Sequence, residues 1–306
     1  MTDDPNLLGA FLRARRELVT PEQAGIPVHG VRRVPGLRRE EVAMLAGISA
    51  DYYLRLERGR DRHPSVQVLA SLADVLHLDD DTKEYLLSLA VDKPRKPRRR
   101  RRETVPAGTV KLLATLPLPA FVEGRCLDVL AANPLATALS PRLTAGANRL
   151  RDVFLDPEEQ AMFLDWETAA AYLVAGFRQA VGTATDDPRF IELVGELTLA
   201  SPFFQKLWGR HDVRPRMSAI VRFLHPQVGE LTLNREKYLV SGTDGILLVV
   251  YHPDAGSEDE HKLTLLGSAA LASTTPSAAS SRTNSGCSRR NSGPSPEAGA
   301  GARYYR

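Results

Sequence analysis

Apolar positions in the first ninety residues recur at helical spacing in five separate stretches. Leu7, Leu8, Phe11, Leu12 and Leu18 predict an amphipathic helix over residues 6 to 19, which Pro21 ends. "RREEVAMLAGI", from Arg38, predicts a short second helix with Val42, Leu45 and Ala46 inward, stopped at Gly47. Ser49 is a good N-cap for a third, which ends before Gly59. Ser65 caps a fourth with Val68, Leu69, Leu72, Ala73 and Leu76 on its buried side. The acidic cluster Asp79 to Asp81 suits the start of a fifth, running to about Ala90 with Tyr85, Leu86 and Leu89 inward. Between the first two helices, "TPEQAGIPVHGVRRVPGLRRE" is broken by prolines and glycines and is strongly basic, which marks a long loop with a functional cast.

The pattern changes after residue 92. "DKPRKPRRRRRETVP" cannot pack and reads as a solvated linker over 93–106. Beyond it, "PAFVEGRCLDVLAANPLATALS" predicts two short strands around a Glu-Gly turn, with Asn133 and Pro134 starting a helix. Residues 158 to 181, 187 to 200 and 202 to 209 read as helices. "VGELTLNREKYLV" and "GILLVVYHP" read as strands joined by a glycine-containing turn. From 268 to 306 the chain is rich in Ser, Ala, Gly and Pro and is expected to be disordered. The expectation is a multidomain chain: an all-α five-helix helix-turn-helix domain (1–92), the basic linker, an α+β domain (107–267) and the tail.

Charge sharpens this division. Residues 1 to 102 hold 20 Lys/Arg against 15 Asp/Glu, residues 103 to 267 hold 15 against 21, and the tail holds 5 against 1. A basic N-terminal part points to nucleic acid there and to something else in the middle, with chance imbalance as the alternative. Cys126 and Cys287 stand far apart without a neighbouring cysteine, which argues against a disulfide framework and a cysteine zinc site. The N-terminal residues do not look like an export signal, and no apolar run is long enough to span a bilayer, so a cytoplasmic protein without membrane insertion is expected, nucleoid-associated when bound to DNA.

Residues 38 to 59 meet the requirements of a helix-turn-helix. Ala43 is small where two helices approach, Gly47 permits a left-handed turn, Ile48 plugs the turn, and Ser49 caps the helix that would enter the major groove. In that helix, residues 49 to 58, Tyr53 and Leu56 fall inward, whereas Ala50, Asp51, Tyr52 and Arg55 fall outward. Arg55 could grip a guanine edge or pair with Asp51 or Glu57. Arg39, Arg60 and Arg62 are candidates for phosphate contacts, and Arg32 and Arg33 could embrace the duplex from the loop or simply be solvated.

"REEVAMLAGISADYYLRLERG" followed by "RHPSVQVLASLADVLHL" resembles the Cro/repressor-type helix-turn-helix of the bacterial xenobiotic-response-element regulators. Further stretches, "RRVPGLRREEVAMLAGIS", "RCLDVLAANPLA", "SPFFQKLWGRHDVR" and "HPQVGELTL", resemble in order the landmarks of regulators with a MmyB-like ligand-binding domain, over roughly residues 6 to 266. The resemblance implies a C-terminal PAS-like domain around an apolar pocket for a fatty-acid-like ligand. Ala132, where the family commonly has tryptophan, and "NREKYLVSG" depart from the pattern.

Candidate pocket residues in the middle domain are Phe121, Leu130, Asn133, Phe154, Trp166, Phe203 and Trp208, with Tyr172, Phe177 and Phe204 further aromatics that could line a cavity or simply form core. Arg210 and Arg214 in "RHDVR" could meet a ligand carboxylate or form a surface ion-pair cluster. No nucleophile elbow, HExxH, phosphate-binding glycine loop or metal-ligand spacing is present, so neither enzyme nor cofactor is expected. The reading is a transcriptional regulator that binds double-stranded DNA as a homodimer and senses a small apolar ligand; the alternative is a DNA-binding protein whose second domain is a ligand-free interaction or dimerisation module.

Overall fold

The computed structural model describes residues 6–27, 32, 34–90, 103–182, 185, 187–213 and 218–274. The N-terminal unit comprises helices α1 (Leu7–Leu18), α2 (Arg39–Leu45), α3 (Ala50–Glu57), α4 (Val66–Val75) and α5 (Asp80–Ala90). Each is placed by the signals in the sequence: Asn6 caps α1, Ser49 caps α3, and Ser65 caps α4. Their inward faces meet in one apolar cluster that contains Phe11, Leu12, Leu37, Val42, Tyr53, Leu56, Leu72 and Leu86. Leu45, expected inward, is instead exposed, while Val42, Ala43 and Ala46 are buried. These three share one side of α2 at helical spacing, and Leu45 falls beyond the edge of that side.

Gly9 sets a second close approach. A Cβ at this position would lie 2.3 Å from the Glu57 carbonyl oxygen, so α1 can lie against the end of α3 only with glycine there. Asn6 seals the contact by accepting from Gly9 N and donating Nδ2 to Glu57 O at 2.8 Å. Glu57 is itself buried, its carboxylate accepting from Arg16 Nε at 2.7 Å and from Arg39 Nε at 2.5 Å. Three helices are thus pinned through one carboxylate.

After α6 (Ala107–Thr115), the second unit has a five-stranded antiparallel sheet in the order β2-β1-β5-β4-β3. Strands β1 (Ala120–Glu123) and β2 (Val129–Ala132) fall where the sequence predicts them, and Asn133 caps α7 (Pro134–Leu139). Strands β4 (Gly229–Leu239) and β5 (Leu247–His252) are the two alternating stretches. β3 (Ala219–His225) was not among the expected strands; it pairs along its whole length with β4. One face of the sheet packs through Phe121, Leu233, Val249 and Tyr251 against α7 and α13 (Glu258–Thr274), and the other takes Leu113 of α6 against Val122 and Leu248.

The helical layer holds α8 (Arg149–Leu155), α9 (Pro157–Ala161), α10 (Trp166–Val181), α11 (Pro188–Ala200) and α12 (Pro202–Gly209). The single helix expected over 158 to 181 is two. Residues 162–164 turn to bond the edge of β3, Leu224 N donating to Met162 O and Leu164 N to Arg222 O, and Asp165 then caps α10. α13 also changes the boundary of the tail, because it continues to Thr274 through residues read from composition as its beginning. Residues 275–306, most of the proposed tail, lie outside the described residues, as does most of the proposed linker, 91–102.

The two units touch through the segment after α12. Val213 is 3 % exposed and belongs to the N-terminal apolar cluster. Asp212 accepts from Arg15 Nη1 of α1 at 2.7 Å, and the His211 ring stands edge-on to Phe11. Arg178 of α10 lies 3.7 Å over the Trp208 ring, bonds the Trp208 carbonyl, approaches His211 Nδ1 at 3.1 Å and faces Tyr85 of α5.

Candidate functional site

Gly47 adopts φ +69°, the left-handed conformation that lets α3 leave α2 at a steep angle. Ser49 Oγ accepts from Tyr52 N and fixes the first turn of α3. Tyr53 and Leu56 are fully buried, while Ala50, Asp51 and Arg55 are exposed. Tyr52 is half-buried against the core edge, with the Arg55 guanidinium 5.5 Å from its ring.

Arg55 Nη1 also donates to Asp51 Oδ2 at 2.5 Å. This pair is solvent-exposed and four residues apart on a helix, and such pairs contribute only about 0.3–0.5 kcal/mol. Arg55 is therefore held in place but readily exchanged to a better acceptor. Arg39 shares Glu57 with Arg16 and stays half-exposed, so it braces α2 against α3 while remaining at the surface. Arg60 is exposed, and Arg62 donates Nε to Gly59 O at the end of α3.

Arg32 is committed elsewhere: it grips Glu41 through both terminal nitrogens, at 2.8 and 2.7 Å, and holds that carboxyl below the usual range. It ties the long loop to α2. Arg33 lies outside the described residues. Arg58 at the end of α3 and Met44 on α2, 66 % exposed, add further surface to the helix-turn-helix.

The second unit contains a cavity of about 310 Å³ between α8, α10 and the β3 end of the sheet. Its apolar wall is Val153, Phe163, Ala169, Leu173 and Val221; Tyr172 and Ile220 stand at its exposed rim. Its polar wall carries Arg149, Arg222, Arg235, Thr168, Asp165 and Tyr251.

That polar wall has an excess of positive charge. Leu231, Leu233, Arg235 and Lys237 alternate along β4, so the face that begins apolar continues basic. Glu123, fully buried, accepts from both Arg149 Nη1 at 2.9 Å and Lys237 Nζ. Arg149 also bonds the Tyr251 hydroxyl and lies 5.0 Å over the Phe121 ring. Arg235 sits across the β4–β5 ladder from Tyr251, and its buried Nε has no hydrogen-bond partner. Burial, and then the charge of Arg149, hold the Arg235 pKa below its ordinary value, which signals a guanidinium short of compensating charge.

Of the nine pocket residues proposed from the sequence, the eight that are described do not line this cavity. Phe121 backs the polar wall from beneath Arg149. Leu130 packs on the opposite face of the sheet. Asn133 caps α7 and also bonds Ala120 N, Leu116 O and Leu118 O, a structural role. Phe154, Trp166 and Phe203 form an aromatic cluster in the helical layer, and Trp208 stacks on Phe204. Arg210 pairs with Asp212, and Arg214 is outside the described residues. Of the wider aromatic set, Tyr172 reaches the cavity. Arg235 was missed because a charge within a strand reads as outward; the parity it shares with Leu231 and Leu233 marks it as inward.

A helix-turn-helix unit followed by a cavity-bearing α+β unit defines the class of ligand-linked DNA-binding regulators. Residues 7–86 match the helix-turn-helix domain family, and residues 105–266 match the MmyB-like transcription regulator ligand binding domain. The chain belongs to the family of MmyB-like transcription regulators and is a DNA-binding transcription regulator with a ligand-binding domain. Curated proteins provide no match. Among the described residues no helix is long and apolar enough to cross a membrane.

Proposed function

We propose that this regulator binds a two-fold operator as a homodimer and that its ligand is a small amphipath with an anionic head, a fatty-acid-like molecule. The observation that carries the ligand class is the unpartnered Arg235 Nε beside Arg149 in a cavity that also presents Val153, Phe163, Leu173 and Val221. A buried guanidinium favours a carboxylate that can accept two parallel hydrogen bonds, and an alkyl chain fits against Val153, Phe163 and Leu173. The volume lies at the small end of the range for ligand sites, which favours a chain of modest length.

On the DNA side, Arg55, Tyr52 and Asp51 take the base-edge role and Arg39, Arg60 and Arg62 the phosphate role, with Ser49 and Ala50 at the point of entry into the groove. Recognition helices of a dimer would engage half-sites about 34–36 Å apart. The test is calorimetric titration of the full chain with saturated carboxylates from octanoate to hexadecanoate. Binding is expected, weakened about 10- to 100-fold by Arg235→Ala, the loss of one charge-assisted contact. Absence of binding across the series, or equal affinity in the variant, would overturn the ligand assignment.

A further inference from the structure

We infer that residues 210–213 are a detachable plug between the two units and that occupancy of the cavity unseats it, freeing the helix-turn-helix unit. This rests on the ligand reading above.

The plug is tied to the cavity by a rigid route. α10 lines the cavity with Thr168, Ala169 and Leu173, and five residues beyond Leu173 it presents Arg178. At about 1.5 Å per residue, the cavity wall and the clamp are under 8 Å apart on one helix. Arg178 holds the Trp208 carbonyl and the His211 ring, the two residues that flank the start of the plug. A ligand wedged between α10 and β3 bears directly on this helix.

The seat is built to let go. Val213 fills part of the N-terminal core, but its neighbours are poorly satisfied. Arg178 Nε is buried without a hydrogen-bond partner, and so is Arg15 Nε beside Asp212. His211 holds φ +53°, an uncommon conformation for a non-glycine residue, although histidine enters it more readily than most. Buried unpaired donors and a left-handed histidine both raise the energy of the seated state. A contact of this kind can be shifted by a ligand that binds the two states unequally, whereas a well-satisfied interface would resist it.

Amide hydrogen exchange of the full-length protein tests this, with dodecanoate as probe and with Ala169→Phe, or the milder Ala169→Leu, filling the cavity without ligand. Exchange at residues 207–213 and in α1 is expected to quicken at least fivefold with saturating dodecanoate and in either filled variant, while α4 stays at its wild-type rate. Val213→Asp, with the plug already expelled, is expected to exchange fast at these positions and to gain nothing more from dodecanoate. Wild-type exchange at 207–213 in a folded Ala169 variant, or in protein saturated with dodecanoate, overturns the plug. Failure of dodecanoate to bind, with fast exchange in the filled variants, overturns the ligand class and supports the plug.

Discussion

At the scale of single residues, the paired tyrosines of α3 show how far side-chain direction can be read from spacing alone. Tyr53 is fully buried, as its place one turn before Leu56 requires, and Tyr52 lies at the core edge under Arg55. Arg55 is the residue on which sequence choice should turn. Arg55→Ala is expected to weaken binding to a selected operator by about 1–3 kcal/mol and to relax preference at one base pair, whereas Arg60→Ala should weaken all sequences alike and reduce the salt slope by about one. Fluorescence anisotropy at several salt concentrations separates the two; identical behaviour of both variants would remove Arg55 from the base-reading role. The cavity residues were less legible. Arg149 heads a short helix and Arg235 sits in a strand with alternating charges, and only the folded pairing reveals that both turn inward around Glu123.

Among elements, the five N-terminal helices were legible because each has both a periodic apolar face and a terminal signal. In the second unit the signals compete. Residues 158 to 181 carry a continuous helical pattern, yet bonding of 162–164 to the edge of β3 breaks it, and Asp165 was the cap that marked the restart. The strand "AIVRFLH" is short enough to suit either period, and α13 begins in a charged run and ends in Ser/Ala-rich sequence that resembles a tail. The joint between α1, α2 and α3 gives the sharpest expectation at this scale. Glu57→Ala leaves Arg16, whose side chain is 7 % exposed, without its carboxylate. Loss of one partner of a buried pair costs about 3–5 kcal/mol, so urea unfolding of the N-terminal unit should shift to markedly lower denaturant. A shift of less than about 1 kcal/mol would mean that the pair is dispensable, as exposed ion pairs usually are.

For the whole molecule, the contact between units makes a prediction about acid. Burial, then the charges of Arg178 and Arg15, push the His211 pKa down to about 3, against 6.5 for a free imidazole. Arg178, Arg15, Asp212 with its partner Arg210, and Tyr85 are the charged and titratable groups around it. Between these two pH values the unfolded chain binds a proton that the folded chain refuses, so this group's stabilisation is complete above 6.5 and is lost as pH falls toward 3. The urea midpoint of the full chain should therefore drop more between pH 7 and pH 4 than that of His211→Asn, a residue that tolerates the left-handed backbone. Equal drops would show that the histidine stays neutral for no energetic reason.

The buried, unpartnered Nε of Arg235 has a consequence for how long the protein lasts. A domain whose interior carries an uncompensated charge opens more often when empty than when an anion neutralises it, and cellular proteases act on opened chains. Ligand supply would then govern the number of regulator molecules as well as their state, with starvation for the ligand clearing the protein itself.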